Sequence, residues 1–170
     1  MKIGNRSRRA GFTLVEVLIV VVILGILAAT VLPQFSQASK DAKESGVVQN
    51  LQMIRHQVGL FKFQHDGKLP ADGTDDATAF TNQMTQKTTL TGAIDQVNGK
   101  LGPYIIGQFP PNSYNNSRTL LVKAGALAAG DYDGSGAHGW AVSSTTGEVR
   151  ANIDPTLKSV VETAKSVNDF

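Results

Sequence analysis

The sequence predicts an α+β chain in which one long N-terminal helix, apolar in its first half and amphipathic in its second, packs on a small antiparallel β-sheet. Three observations predict it. The run from Phe12 to Leu32 is apolar apart from a few small or polar residues and carries Glu16 as its only charge. Apolar residues then recur at helical spacing from Val47 to Phe61. Short β-rich stretches separated by turn residues fill the region from Thr119 to Ala151. At 170 residues the chain has room for one globular core plus an appended segment, because domains usually run to roughly 100–150 residues.

Lys2, Arg6, Arg8 and Arg9 place four positive charges ahead of the apolar run with no acid among them. The formal charge of +2 therefore misleads: of 16 basic residues, 12 remain beyond the leader against 14 acidic ones, a balance of −2. No basic patch marks the rest of the chain, so a nucleic-acid partner is not expected. There is no cysteine, which excludes a disulfide, a thiolate nucleophile and a Cys-ligated metal.

The 21 residues from Phe12 to Leu32 exceed the roughly 7–15 of a secretory signal core. As a helix they reach about 31 Å, the thickness of a bilayer's hydrocarbon core. The positive flank puts the N-terminus in the cytoplasm and the remainder outside. The end of the run, Ala28-Ala29-Thr30-Val31-Leu32-Pro33-Gln34, offers no evident signal-peptidase site, and the helical pattern resumes after it. Glu16 is costly there: an intramembrane acid costs about 2.5–3.5 kcal/mol or more unless paired, so it needs a partner.

The segment Gly11 to Phe35, GFTLVEVLIVVVILGILAATVLPQF, resembles the N-terminal signature of type IV pilins and type II secretion pseudopilins. The likeness includes the basic leader ending in Gly11, Phe12 after it, Glu16 fifth from that junction, Gly25 in mid-helix and Pro33 at the end of the apolar stretch. The resemblance implies that a prepilin peptidase cuts between Gly11 and Phe12 and methylates the new amine of Phe12. It implies that the subunit waits in the bacterial inner membrane, among lipid, until an assembly platform extracts it. It also implies that Glu16 meets the amine of a neighbouring subunit, and that Gly25 and Pro33 let the helix deform in the fibre.

After Pro33, Val47, Leu51, Ile54, Val58 and Phe61 share one face, and Asp66-Gly67 with Leu69-Pro70 stops the helix. Unbroken from Phe12 to His65, the helix would measure about 80 Å. Asp75 or Asp76 is expected to cap a short second helix with Phe80 and Met84 on one face. Thr119–Lys123 reads as a strand, and Trp140–Ser143 with Glu148–Ala151 as a hairpin closed around Thr145-Thr146-Gly147. The phrases FKFQHDGKLP, LGPYI and GWAVSSTTGEVRAN are similar to the major pseudopilins' helix end, central loop and last hairpin. The chain departs from that pattern with FPPNSYNN, where an aspartate and a tryptophan usually follow the prolines, and with an added tail. In the tail, Pro155 to Phe170, a helix would place Leu157, Val160, Val161, Ala164 and Val167 on one face, docked on its own domain. The domains so read are a cleaved leader 1–11, a transmembrane and filament-core helix 12–33, a periplasmic globular domain 34–154 and the tail 155–170.

No catalytic motif is present, so an enzyme is not expected. His56, His65 and His138 are too scattered for a metal set and read as solvated or capping residues. Asn115-Asn116-Ser117 fits the glycosylation pattern, which is common by chance. Asp131-Tyr132-Asp133-Gly134-Ser135-Gly136 has the front half of a calcium loop, with oxygen ligands at positions one, three and five, but Val142 stands where the closing Glu belongs. An acidic turn and a Ca2+ site on Asp131, Asp133 and Ser135 fit this equally well; the resemblance adds that major pseudopilins can use calcium in this region. The expected function is a structural subunit of a homo-oligomeric pilus-like filament, first the major pseudopilin of a type II secretion system, with minor pilins or pseudopilins as partners. The alternatives are a type IV pilin of a surface or DNA-uptake pilus and a non-polymerising membrane-anchored binding module.

Overall fold

The computed structural model describes residues 11–154, 156–157, 159 and 166–169. The chain forms two compact units, one ending at Lys40 and one running from Asp41 onward. Helix α1, Leu14–Gln64, belongs to both and continues through Pro33. The leader residues 1–10 and, in the tail, Val160, Val161 and Ala164 lie outside the described residues.

In the first unit α1 carries its apolar side chains outward on every side, from Leu14 to Phe35. Among the described residues of this unit nothing covers them. A helix apolar all round is stable only in an apolar medium or among other helices.

The second unit is built on the other half of α1. Val47, Leu51, Ile54, Val58 and Phe61 are buried as their spacing requires, and the stripe extends back one step to Glu44. That buried carboxylate accepts a hydrogen bond from the Ser159 hydroxyl. At the helix end Gly67 takes φ +84° and its N–H reaches the Lys62 carbonyl at 2.9 Å. A side chain there would strain the backbone, so glycine sets where the helix stops.

Asp76 rather than Asp75 caps α2, Ala77–Thr85, accepting from the N–H groups of Thr78 and Ala79 at 2.9 Å. Asp75 instead accepts from Ala124 N–H at the end of a strand. Phe80 and Met84 enter the core.

Strands β1 (Leu120–Lys123), β2 (Trp140–Ser143) and β3 (Val149–Ala151) form one sheet in that order. It is mixed rather than wholly antiparallel: β2 and β3 form the expected hairpin, but β1 pairs with β2 in parallel. The long connection between Lys123 and Trp140 carries the chain back to the starting end of β1, as a parallel pair requires. The open end of the β2–β3 hairpin is tied by asparagine. Asn112 Nδ2 donates to the carbonyls of Gly139 (2.8 Å) and Asn152 (3.1 Å), while Trp140 Nε1 donates to Pro110 O at 2.9 Å. A Cβ on Gly139 would stand 2.2 Å from Ser117 O, so this crossing excludes any side chain.

The described tail residues belong to the second unit. Leu157 and Ser159 lie outside any helix, and Val167–Asp169 is a single 3-10 turn. Val167 is buried in the core. Asn168 Oδ1 accepts from Ala151 N–H at 2.7 Å and Nδ2 donates to Ala151 O at 3.1 Å, so one amide side chain occupies both backbone groups of Ala151 on the free edge of β3, where Arg55 takes the carbonyl of Val149. Arg55 and Arg150 both donate to Asn168 O, and Arg150 also approaches Asp169.

Candidate functional site

At the N-terminus Gly11, Phe12 and Thr13 precede α1 outside any regular element and are exposed. The bond between Gly11 and Phe12 is thus accessible and free of helical hydrogen bonds. Thr13 and Glu16 then close on each other. Thr13 N–H donates to Glu16 Oε2 (2.9 Å), Glu16 N–H donates to Thr13 Oγ1 (3.2 Å), and the Thr13 hydroxyl donates to the same Oε2 (2.8 Å). This reciprocal cap satisfies two backbone donors that the first turn of a helix leaves open.

The partner of Glu16 within its own chain is therefore Thr13, a residue that charge reasoning passed over. Its signal was present, since Thr13-x-x-Glu16 before an apolar run is the sequence form of a capping box. All three bonds use Thr13 and only one carboxylate oxygen. Gly25 and Pro33 lie within α1, and a Cβ on Gly25 would meet nothing. The most apolar window of α1 has a mean hydropathy of 2.9 with none of it buried, so by length and composition the helix can cross a membrane.

The acidic turn lies in the second unit, remote in sequence from this end. Residues Ala129–Tyr132 form a 3-10 turn. Asp131 accepts from Ala128 N–H (2.9 Å) and lies 3.6 Å from Lys123 Nζ. Asp133 accepts from Ser135 N–H at 2.9 Å. That N–H, followed by the Ser135 side chain and with a smaller contribution from the charge of His138, holds the Asp133 carboxyl below the usual carboxylate range. Both carboxylates already serve local donors, and Lys123 stands where a cation would approach Asp131. Among the described residues no group of three or more His, Cys, Asp or Glu side chains gathers to hold a metal.

The histidines differ from expectation in one case. His65 is fully buried, stacked on Phe61 with ring centroids 3.7 Å apart. Nδ1 donates to Phe61 O (2.8 Å) and Nε2 meets the Thr88 hydroxyl (3.0 Å). A carbonyl can only accept, so the proton sits on Nδ1 and His65 is a satisfied core residue. Asn115 likewise has its amide engaged, donating to His138 O at 2.9 Å.

Residues 6–32 match the model of the prokaryotic N-terminal methylation motif. The chain is pilin-like. It is similar to type II secretion system core protein G of Pseudomonas aeruginosa, with 38% identity over 61 residues, 36% of this chain and 43% of the relative. The pilin-like chain is also similar to the ComG operon protein 3 homolog of Bacillus licheniformis, 30% identical over 60 residues that make up 35% of this chain and 62% of the relative. Competence protein ComGC of Halalkalibacterium halodurans is 34% identical over 64 residues, 38% of this chain and 62% of that one. The matches thus span about two fifths to three fifths of these relatives' length. No solved structure matches the chain.

Proposed function

We propose that this pilin-like subunit is the major pseudopilin of a type II secretion system, cut by a prepilin peptidase after Gly11 and methylated on Phe12. The observation that carries this reading is the exposed apolar first half of α1 with a single acid held at its start. The likeness to type II core protein G supports the choice of system. In this reading the Thr13 cap keeps the Glu16 carboxylate solvated by its own chain while the subunit waits in the inner membrane, the globular unit outside. Cleavage creates an amine at Phe12, and on assembly that amine of an incoming copy pairs with the Glu16 of a copy already in place. Gly25 and Pro33 supply the deformability that packing into the fibre demands. Partners are further copies, minor pseudopilins and an inner-membrane assembly platform.

A second reading, a pilin of a DNA-uptake pilus, is favoured by the likeness to the two ComG relatives, which covers more of their length. Intact-mass measurement of membrane-extracted protein tests the processing. The expected mass is that of Phe12–Phe170 plus one methyl group, and a mass of the whole chain or of a product cut after Ala29 removes the reading. Comparing sheared surface fibres with the secretome of a deletion strain separates the systems: lost secreted proteins indicate a pseudopilin, lost fibres a pilin.

Calcium at Asp131, Asp133 and Ser135 belongs to the same proposal. The cation would displace Lys123 from Asp131, and outside the cell a hard-oxygen set takes calcium. The melting temperature of the full chain in detergent, with calcium and with chelator, decides it. Equal values strike the metal from the reading.

A further inference from the structure

A cleft of about 530 Å³ opens between α2 and β1, with Ala77, Phe109 and Leu120 as its apolar lining and Arg118 as the one charged residue on it. Arg118 donates to Phe109 O at 2.8 Å and has no acidic partner among the described residues. The sheet edge beside the cleft is open. In the parallel ladder Thr119 O accepts from Trp140 N–H and Lys123 O from Ser144 N–H, so the alternate residue, Leu120, turns its N–H and C=O away from β2. No described group bonds them, whereas Asn168 and Arg55 bond the opposite edge on β3.

The same unit carries the complement of this cleft elsewhere. Phe63, in the last turn of α1, is 85% exposed, and Asp66 follows three residues later, also exposed. An aromatic ring held out from a helix beside a carboxylate matches an apolar cleft rimmed by an unpaired guanidinium, and aromatic and Arg anchors dominate protein interfaces.

We propose that the Phe63–Asp66 corner of one copy seats in the α2–β1 cleft of the next, the ring against Ala77 and Leu120 and the carboxylate at Arg118. Corner and cleft share no residue, and in a filament each copy offers its corner to one neighbour and its cleft to another, so the contact proposed is heterologous and extends an open chain instead of closing a pair. The inference rests on the reading of this chain as a filament subunit and names a side-chain contact between its globular units.

The absence of cysteine makes the test direct. Full-length Lys62→Cys, Thr81→Cys double variant, which keeps the Phe63 ring, oxidised with copper phenanthroline in membranes of producing cells, is expected to give a ladder of dimers, trimers and higher multiples of the subunit mass. Each single variant should give at most a dimer. Normal fibres without a ladder overturn the contact, and a product whose mass is not a multiple of the subunit's assigns the cleft to another protein. No fibres from the unaltered chain would instead sink the filament reading itself. Because the cysteine pair could impair folding, the charges give a second measure. Arg118→Gln and Asp66→Asn should each lower fibre yield about two- to fivefold, the effect of an exposed ion pair. The double variant should be no worse than either single, since both remove one interaction. Losses that multiply overturn the pairing.

Discussion

Up to Lys40 the helix α1 holds its Val, Leu and Ile side chains in the open, while from Asp41 onward the same helix buries Val47, Leu51, Ile54, Val58 and Phe61 completely or nearly so. The two halves are similar in local structure and opposite in what they require. The second half finds its apolar partners in its own chain: α2 supplies Phe80 and Met84, the sheet supplies Trp140, Val142 and Val149, and the tail supplies Val167. The first half finds none among the described residues. Its stability as a helix is therefore a property of its surroundings, lipid or other copies, whereas that of the second unit is intramolecular.

Substitutions should sharpen this contrast. Phe80→Ala empties a fully buried site and is expected to cost the second unit about 3–5 kcal/mol, read as a lowered unfolding midpoint of the full chain in detergent. Val21→Ala removes an exposed methyl pair and should leave that midpoint in place. A comparable loss from both would mean that the first half packs within the chain after all. Next in size is Glu16→Val, which removes an intramembrane acid costing about 2.5–3.5 kcal/mol. Membrane retention should be equal or better while fibre formation is abolished. Normal fibres from the variant would leave the acid no role in assembly.

Thr13→Ala is expected to cost about 0.5–2 kcal/mol of helix start, the usual worth of such a cap. Faster amide hydrogen exchange at residues 14–17 in micelles is the readout, with exchange in the second unit unchanged. The smallest effect concerns acid. The carboxyls of Asp95, Asp133 and Asp154 are held below the ordinary range, first by the N–H of Asn98, the N–H of Ser135 and the hydroxyl of Thr156 respectively. A group depressed in the folded state contributes stability above its unfolded pKa, about 3.9 for Asp, and loses it as pH falls through the lower folded value. A slight fall in melting temperature below about pH 4 should follow. A rise would reverse the sign and refute the bonding described.

What the sequence made legible was whatever is local or periodic. The apolar run, the stripe from Val47 to Phe61, the hairpin at Trp140–Ala151 and the cap of α2 all depend on neighbours within a few residues, and all lie where their patterns put them. The parallel pairing of β1 was not legible, because its direction is decided by how a long loop returns. His65 was misjudged for the same reason: its burial depends on Thr88, 23 residues away. Glu44 and Asn168 reach partners 115 and 17 residues distant, and no spacing rule announces either. The Thr13 cap is local too, and its pattern with Glu16 is legible in the sequence.

The amide of Asn168 has a consequence for how copies of this protein avoid one another. A bare strand edge is a template on which identical chains can stack through their backbones in cross-β fashion, and subunits concentrated in a membrane would meet often enough to do so. With Asn168 on both the N–H and the C=O of Ala151 and Arg55 on the carbonyl of Val149, side chains occupy pairing groups on that edge while adding no strand of their own. Amyloid-like growth from β3 is thereby opposed by side-chain hydrogen bonds alone.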